Sequence, residues 1–245
     1  MRKVAMALSL CCSAFMLQAA DTAEERLSDA TNVFKEIMAT PDKGIPQDLL
    51  EKAHCIVIVP GLKQAGFVLG AKYGRGFATC RKDHVGWSAP AAYRIEGGSV
   101  GFQIGASSTD VVMVVMNERG MRRLLEDKFT LGAEASVAAG PVGRQTQAMT
   151  DAQLSAEILS WSRSKGLFAG IALTGATLRP DGEVNKEMYG QTLTARDILQ
   201  GEAKPTPAAR PLLEMLSRYS PREAKDTPVE TRAKDAITDA DRKKK

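Results

Sequence analysis

The sequence predicts an α+β fold: one strongly curved, mainly antiparallel sheet, flanked by N-terminal and C-terminal helices. Three observations carry this expectation. Short apolar and β-branched runs recur from Cys55 to Leu173, joined by segments mostly too short for parallel crossovers. Helical spacing of apolar residues dominates the two flanks instead. Three glycine-bracketed segments echo one another within the strand region: Gly66-Phe67-Val68-Leu69-Gly70, Gly101-Phe102-Gln103-Ile104-Gly105 and Gly166-Leu167-Phe168-Ala169-Gly170. Glycine in a strand-like run marks a bend, a bulge or a close backbone approach, so three such segments imply strong curvature. A barrel-like form is one way for such a sheet to close.

The elements follow in order. Arg2 and Lys3, then an apolar run to Leu17 and small residues up to Ala20, have the layout of a secretory signal peptide over residues 1–20. Cys11 and Cys12 raise a lipoprotein form as an alternative, but Leu10 is bulky where lipoprotein processing prefers a small residue. Thr22 and Glu25 have capping-box spacing, and Leu27, Ala30, Phe34, Ile37 and Met38 share one helical face. Pro46 opens a second, short helix through Leu49, Leu50 and Ala53. The run Cys55-Ile56-Val57-Ile58-Val59 reads as a fully buried strand closed by Pro60-Gly61. Further strands are expected over residues 65–73, 76–81, 89–95, 99–104 and 110–116, with Glu96-Gly97-Gly98 as a hairpin turn.

A helix is expected over residues 118–127, and two or three more strands within 130–149 and 156–173. Pro180-Asp181-Gly182 ends the sheet region, and short helices follow over 183–188, 195–199 and 208–219. Beyond Ser220 the chain is charged and poor in apolar residues, which predicts a disordered tail over 221–245. One domain is thus expected over residues 21–220.

Composition narrows the function. Hydrophobic and charged contents of 44% and 25% suit a globular protein, and a net charge of +4 permits contact with anionic surfaces. Aromatic residues make up only 5%, too few for a stacking surface, so nucleic acid is not an expected partner. Gly74-Arg75-Gly76 lacks the rest of a dinucleotide fingerprint, no Walker A lysine motif occurs, and no cofactor is expected. Ser162-Arg163-Ser164-Lys165 has a Ser-x-x-Lys spacing without the companion motifs of acyl-transfer enzymes. With two histidines and scattered carboxylates, no catalytic constellation assembles, and the chain does not read as an enzyme. His54, Cys55, Cys80 and His84 are the only group with a metal-ligand flavour, but adjacent strand residues point to opposite faces. In an oxidising compartment Cys55 and Cys80 are a disulfide candidate, with two buried thiols as the alternative.

Basic residues beside glycine turns are the remaining signal: Lys63, Lys72, Arg75, Arg81, Lys82, Arg94, Arg144, Arg163 and Lys165. Backbone amides and nearby cations at such turns can hold a phosphate. Lys63, Lys72, Arg75 and Arg163 are the lipid-contact candidates on this ground. A solvated face is the bland alternative.

Six stretches occur in order along the chain: Ile45-Pro46-Gln47-Asp48-Leu49-Leu50, Ile56-Val57-Ile58-Val59-Pro60-Gly61, Gly86-Trp87-Ser88-Ala89-Pro90, the Gly101–Gly105 segment, Ala139-Gly140-Pro141-Val142-Gly143-Arg144 and residues 162–170. Together they resemble the SYLF family of lipid-binding domains, which includes yeast actin-patch proteins. The resemblance implies binding of anionic membrane lipids, phosphoinositides in eukaryotic members and actin filaments in yeast relatives. A signal peptide and the lack of a Src-homology-3 module in this sequence make actin an unexpected partner here. The expectation is a non-catalytic lipid-binding module, exported to the periplasm or envelope. The alternative is an envelope structural or protein-interaction module without lipid dependence.

Overall fold

A computed structural model describes residues 21–39, 44–66, 69–82, 86–100, 105–142, 149–164, 167–171 and 173–220. The expected signal peptide, the charged tail, His84, Arg144 and Lys165 lie outside the described residues.

The architecture is α+β, with a strongly curled, half-barrel sheet of mostly antiparallel strands and helices at both ends of the chain. Helix α1 (Ala23–Met38) starts on the capping box: Glu25 N–H donates to Thr22 Oγ1 at 3.2 Å, and Thr22 N–H donates to Glu25 Oε2 at 2.9 Å. Helix α2 (Gln47–Lys52) follows, with Pro46 as its N-cap. Four long strands form the centre of the sheet: β1 (Cys55–Gly66), β2 (Leu69–Cys80), β3 (Ala91–Val100) and β4 (Gly105–Val115). After α3 (Glu118–Leu124) come β5 (Phe129–Thr130), β6 (Val137–Ala139), α4 (Asp151–Ser155), β7 (Ile158–Ser164), β8 (Leu167–Gly170) and β9 (Ala176–Pro180). Helices α5 (Gly182–Tyr189), α6 (Ala195–Leu199) and α7 (Arg210–Tyr219) close the described chain.

The strand order is β5-β9-β3-β2-β1-β4-β7-β6, with β8 paired to β7. The β6–β7 pair is parallel, the one exception to antiparallel pairing among the described strands. It is reached through α4, a connection long enough to reverse the chain.

Cores on both faces explain why β1 and β4 read as unbroken apolar runs. Ile56, Ile58, Phe77, Val112, Val114, Leu159 and Trp161 meet Leu27, Phe34, Leu50, Leu212 and Leu216 from α1, α2 and α7. This side is the helix face of the sheet. On the second face Cys55, Val57, Val59, Tyr93, Ile95, Val111 and Met113 pack with Leu124, Phe129, Ile198 and Leu199. Alternation places successive residues of one strand in different cores.

Several boundaries differ from expectation. Strand β1 runs through Pro60-Gly61, where its register shifts; the irregularity absorbs the two residues, and Asp110 Oδ1 accepts the Gly61 N–H at 2.9 Å. The segment over 65–73 is not one strand. Gly66 pairs with Gly70 across the end of a hairpin, and β2 then continues unbroken to Cys80. Glu96-Gly97-Gly98 is not a turn either: β3 passes through it, paired on both sides, to β2 and, as far as Gly97, to β9. Helix α3 stops at Leu124 and α4 was not expected.

Candidate anion-binding face

The helix face also carries charged side chains on β1, β2, β3 and β9. Parity fixes which side chains meet there. Leu62 belongs to the second-face core, so its neighbour Lys63 points to the helix side. Phe77 belongs to the helix-face core, so Arg75 and Tyr73 share its side. Register then aligns two adjacent rows. One runs Ser108–Lys63–Tyr73–Glu96–Thr177, and the other runs Arg75–Arg94–Arg179 across β2, β3 and β9. With strands about 4.8 Å apart, Lys63 and the three arginines span roughly 15 Å.

Three guanidinium groups in direct register repel one another. Two carboxylates offset this. Arg75 Nε lies 3.1 Å from Asp181 Oδ2, and Asp181 is only 1% exposed. Asp181 also caps α5, accepting the Val184 N–H at 3.4 Å, so its position is set by the helix start. Glu96 stands between the other two, with Oε1 2.8 Å from Arg94 Nε and Oε2 3.9 Å from Arg179 Nη1. These are close charges with poor alignment. The Nε atoms of Arg75, Arg94 and Arg179 are all shielded from solvent and lack a hydrogen-bond acceptor among the described residues. Arg94, Arg179 and Glu96 remain 26%, 42% and 38% exposed, so this part of the row can be reached from solvent. The Arg75 guanidinium also lies 5.9 Å from the Tyr73 ring centre, within cation–π range.

The four candidates named from sequence do not converge on one site. Lys63 is exposed and Arg75 half-buried on the helix face. Lys72 pairs in register with Gln64 and Gly97 and points to the second face. Arg163 shares the helix face but is engaged internally. Its Nε and Nη2 donate to Asp110 Oδ2 at 3.0 and 2.7 Å, and Nη1 pairs with Glu36 of α1. Arg163 therefore ties α1 to β4 and β7. Arg179 and the bridging role of Glu96 escaped sequence reading. Only the β3–β9 register brings Arg179 beside Arg94, and nothing local in the sequence announces that pairing.

The other groups with potential chemistry are occupied. Cys55 and Cys80 are register partners joined by a disulfide, which removes both thiolates from any ligand set. Among the described residues no cluster of three His, Cys, Asp or Glu side chains could hold a metal. Ser162 and Ser164 lie on β7, not at a helix start. Burial pushes the Tyr93 phenol well above its ordinary range, and its hydroxyl donates to the Leu124 carbonyl. A groove of about 430 Å³ between α2 and α4 is lined by Leu49, Met116, Met149, Leu154 and Leu159, with Asp48 and Lys52 at its polar side. It contains no convergent set of acids and bases.

A family profile described as "Ysc84: Las17-binding protein actin regulator" matches residues 96–219, about half of the chain. The chain belongs to the Ysc84 (SYLF) family. Its similarity to LAS seventeen-binding protein 3 of Saccharomyces cerevisiae is 36% identity over 178 residues, covering 71% of this chain and 39% of the yeast protein. Protein YSC84 of the same yeast is 36% identical over 178 residues, with 71% and 38% covered. SH3 domain-containing YSC84-like protein 1 of Homo sapiens is 35% identical over 181 residues, with 74% and 53% covered. The Ysc84-like chain thus spans about half or less of the length of these relatives. Glu96, Arg163, Arg179 and Asp181 fall within the profile match, whereas Lys63, Lys72, Arg75 and Arg94 precede it.

Proposed function

We propose that this Ysc84-family chain is a non-catalytic binding module that associates with anionic phospholipid head groups, phosphoinositide-like ones included, at a membrane surface of the cell envelope. The observation that carries the reading is the row Arg75–Arg94–Arg179 across β2, β3 and β9, with Lys63 of β1 in the adjacent row on the same face. Arginine forks match phosphate oxygens, and each basic residue near a charged surface contributes on the order of 1 kcal/mol. The SYLF resemblance of the sequence supports the same ligand class.

Export is part of the proposal. Residues 1–20 have the layout of a leader, and the Cys55–Cys80 disulfide suits an oxidising compartment. No described helix is long and apolar enough to cross a membrane, which fits peripheral association. A second reading, a protein-interaction module without lipid dependence, is favoured by the family description, Las17-binding protein actin regulator, and by the name of the yeast relative, LAS seventeen-binding protein 3. Flotation of the mature chain with neutral and with anionic vesicles separates the two. Recovery that rises with anionic lipid supports the first reading; equal recovery, with a protein partner retained on pull-down, supports the second.

A further inference from the structure

The charged row contains its own competitor. Glu96 is the only carboxylate among the described residues that meets both Arg94 and Arg179, and it meets them imperfectly, at 2.8 and 3.9 Å, without aligning to the Nε–H of either. It sits on β3 two residues from Arg94, so both share a face, and it is diagonal to Arg179 across the β3–β9 pair. Its side chain is long and more than a third exposed, so it can swing into solvent at little cost in packing. Asp181 beside Arg75 differs: it is buried and caps the start of α5, so its carboxylate cannot swing into solvent.

We propose that Arg94 and Arg179 form an oxyanion site for a single phosphoryl group, and that the Glu96 carboxylate occupies it in the unliganded protein and is displaced on binding. Two arginines present forked donors to a tetrahedral oxyanion with four acceptors, whereas one carboxylate offers two oxygens in a plane and does not align with either Nε–H. Arg75, its charge offset by the buried Asp181, closes the end of the row on the register position next to Arg94. The site deepens the head-group reading and rests on it for its biological ligand. The shared chemistry of a lipid phosphate and a free phosphate leaves both as sources.

The test uses the full mature chain and two probes: inorganic phosphate in calorimetric titration, and phosphatidylcholine vesicles with and without phosphatidic acid in flotation. Glu96→Gln is expected to bind both probes about five-fold more tightly than the unaltered chain, and Arg94→Gln and Arg179→Gln each about five-fold more weakly. Asp127→Asn, an exposed acid on the segment after α3, controls for the general gain of one positive charge. Thermal unfolding checks that each variant folds; if Arg94→Gln does not, the more exposed Arg179 carries that arm. A Glu96→Gln chain that binds no more tightly than Asp127→Asn overturns the competitor. Anionic-vesicle binding that all three row variants leave unchanged overturns the site while the lipid reading stands. Tighter phosphate binding by Glu96→Gln with no response to phosphatidic acid keeps the site and removes the lipid as its source.

Discussion

At Gly140 the backbone passes directly over the indole of Trp161. A methyl group there would stand 2.0 Å from Trp161 Cε2, and the tryptophan is fully buried with its Nε1–H donated to the Pro141 carbonyl at 2.9 Å. The ring cannot yield without breaking that bond. Gly140→Ala is therefore expected to destabilise the fold by about 1–3 kcal/mol, read as a lower urea midpoint at unchanged slope. The basic residues separate in the same way into structural and surface groups. Arg163→Gln removes two charge-assisted hydrogen bonds to Asp110 and the link to Glu36. It should cost about 2 kcal/mol of stability and leave vesicle binding, measured on folded protein at low temperature, nearly unchanged. Lys63→Gln should do the reverse, with an unaltered melting curve and weaker flotation on anionic vesicles. The two residues look alike in sequence because charge beside glycine is visible locally, whereas Asp110, 53 residues away on the adjacent strand, and Glu36 on α1 are not.

Among the elements, α1 was legible in full because its signals are local: a capping box and a single apolar stripe. Hydrogen bonds from Thr22, backbone first, hold the Glu25 carboxyl below its ordinary value of 4.5. The sign follows from linkage: a depressed carboxylate stabilises the folded state above that value, and the contribution is lost as pH falls through the folded one. Hydrogen bonds to Thr194 lower Asp197 at the start of α6 in the same way. Thermal midpoints should drop as pH falls below 4.5, and Thr22→Ala should lower the neutral-pH stability by about 1 kcal/mol and flatten part of that drop. The disulfide acts between elements, joining β1 to β2 across a sequence separation of 25. Replacing both cysteines with alanine is expected to cost about 3 kcal/mol in chemical unfolding, chiefly by freeing the unfolded chain. Strands β1 and β4 were legible as apolar runs, but the turns were not. Glycine at Gly97 has the pattern of a turn signal, but in the fold it lets β9 approach: a methyl group would stand 3.0 Å from the Ala176 Cα. That is a property of the pairing between distant strands, which local pattern cannot reveal.

For the whole molecule, the sheet's two covered faces explain its apolar strands, and the register of β2, β3 and β9 gathers charge on the helix face. The fold class could be read from sequence because it depends on element types and short connections. The charged row could not, because it depends on register between β2, β3 and β9, which lie far apart along the chain. A module that works through such a row should respond to salt, since the attraction is between partly exposed charges and mobile ions compete for it. The direct measurement is flotation of the chain from Asp21 onward on phosphatidylcholine vesicles carrying increasing phosphatidic acid, repeated at low and high salt. The account predicts recovery that climbs with the anionic fraction, falls with salt, and falls further in a Lys63→Gln/Arg179→Gln double variant that melts like the unaltered chain. Equal recovery on neutral and anionic vesicles, or binding indifferent to salt and to both substitutions, would contradict it.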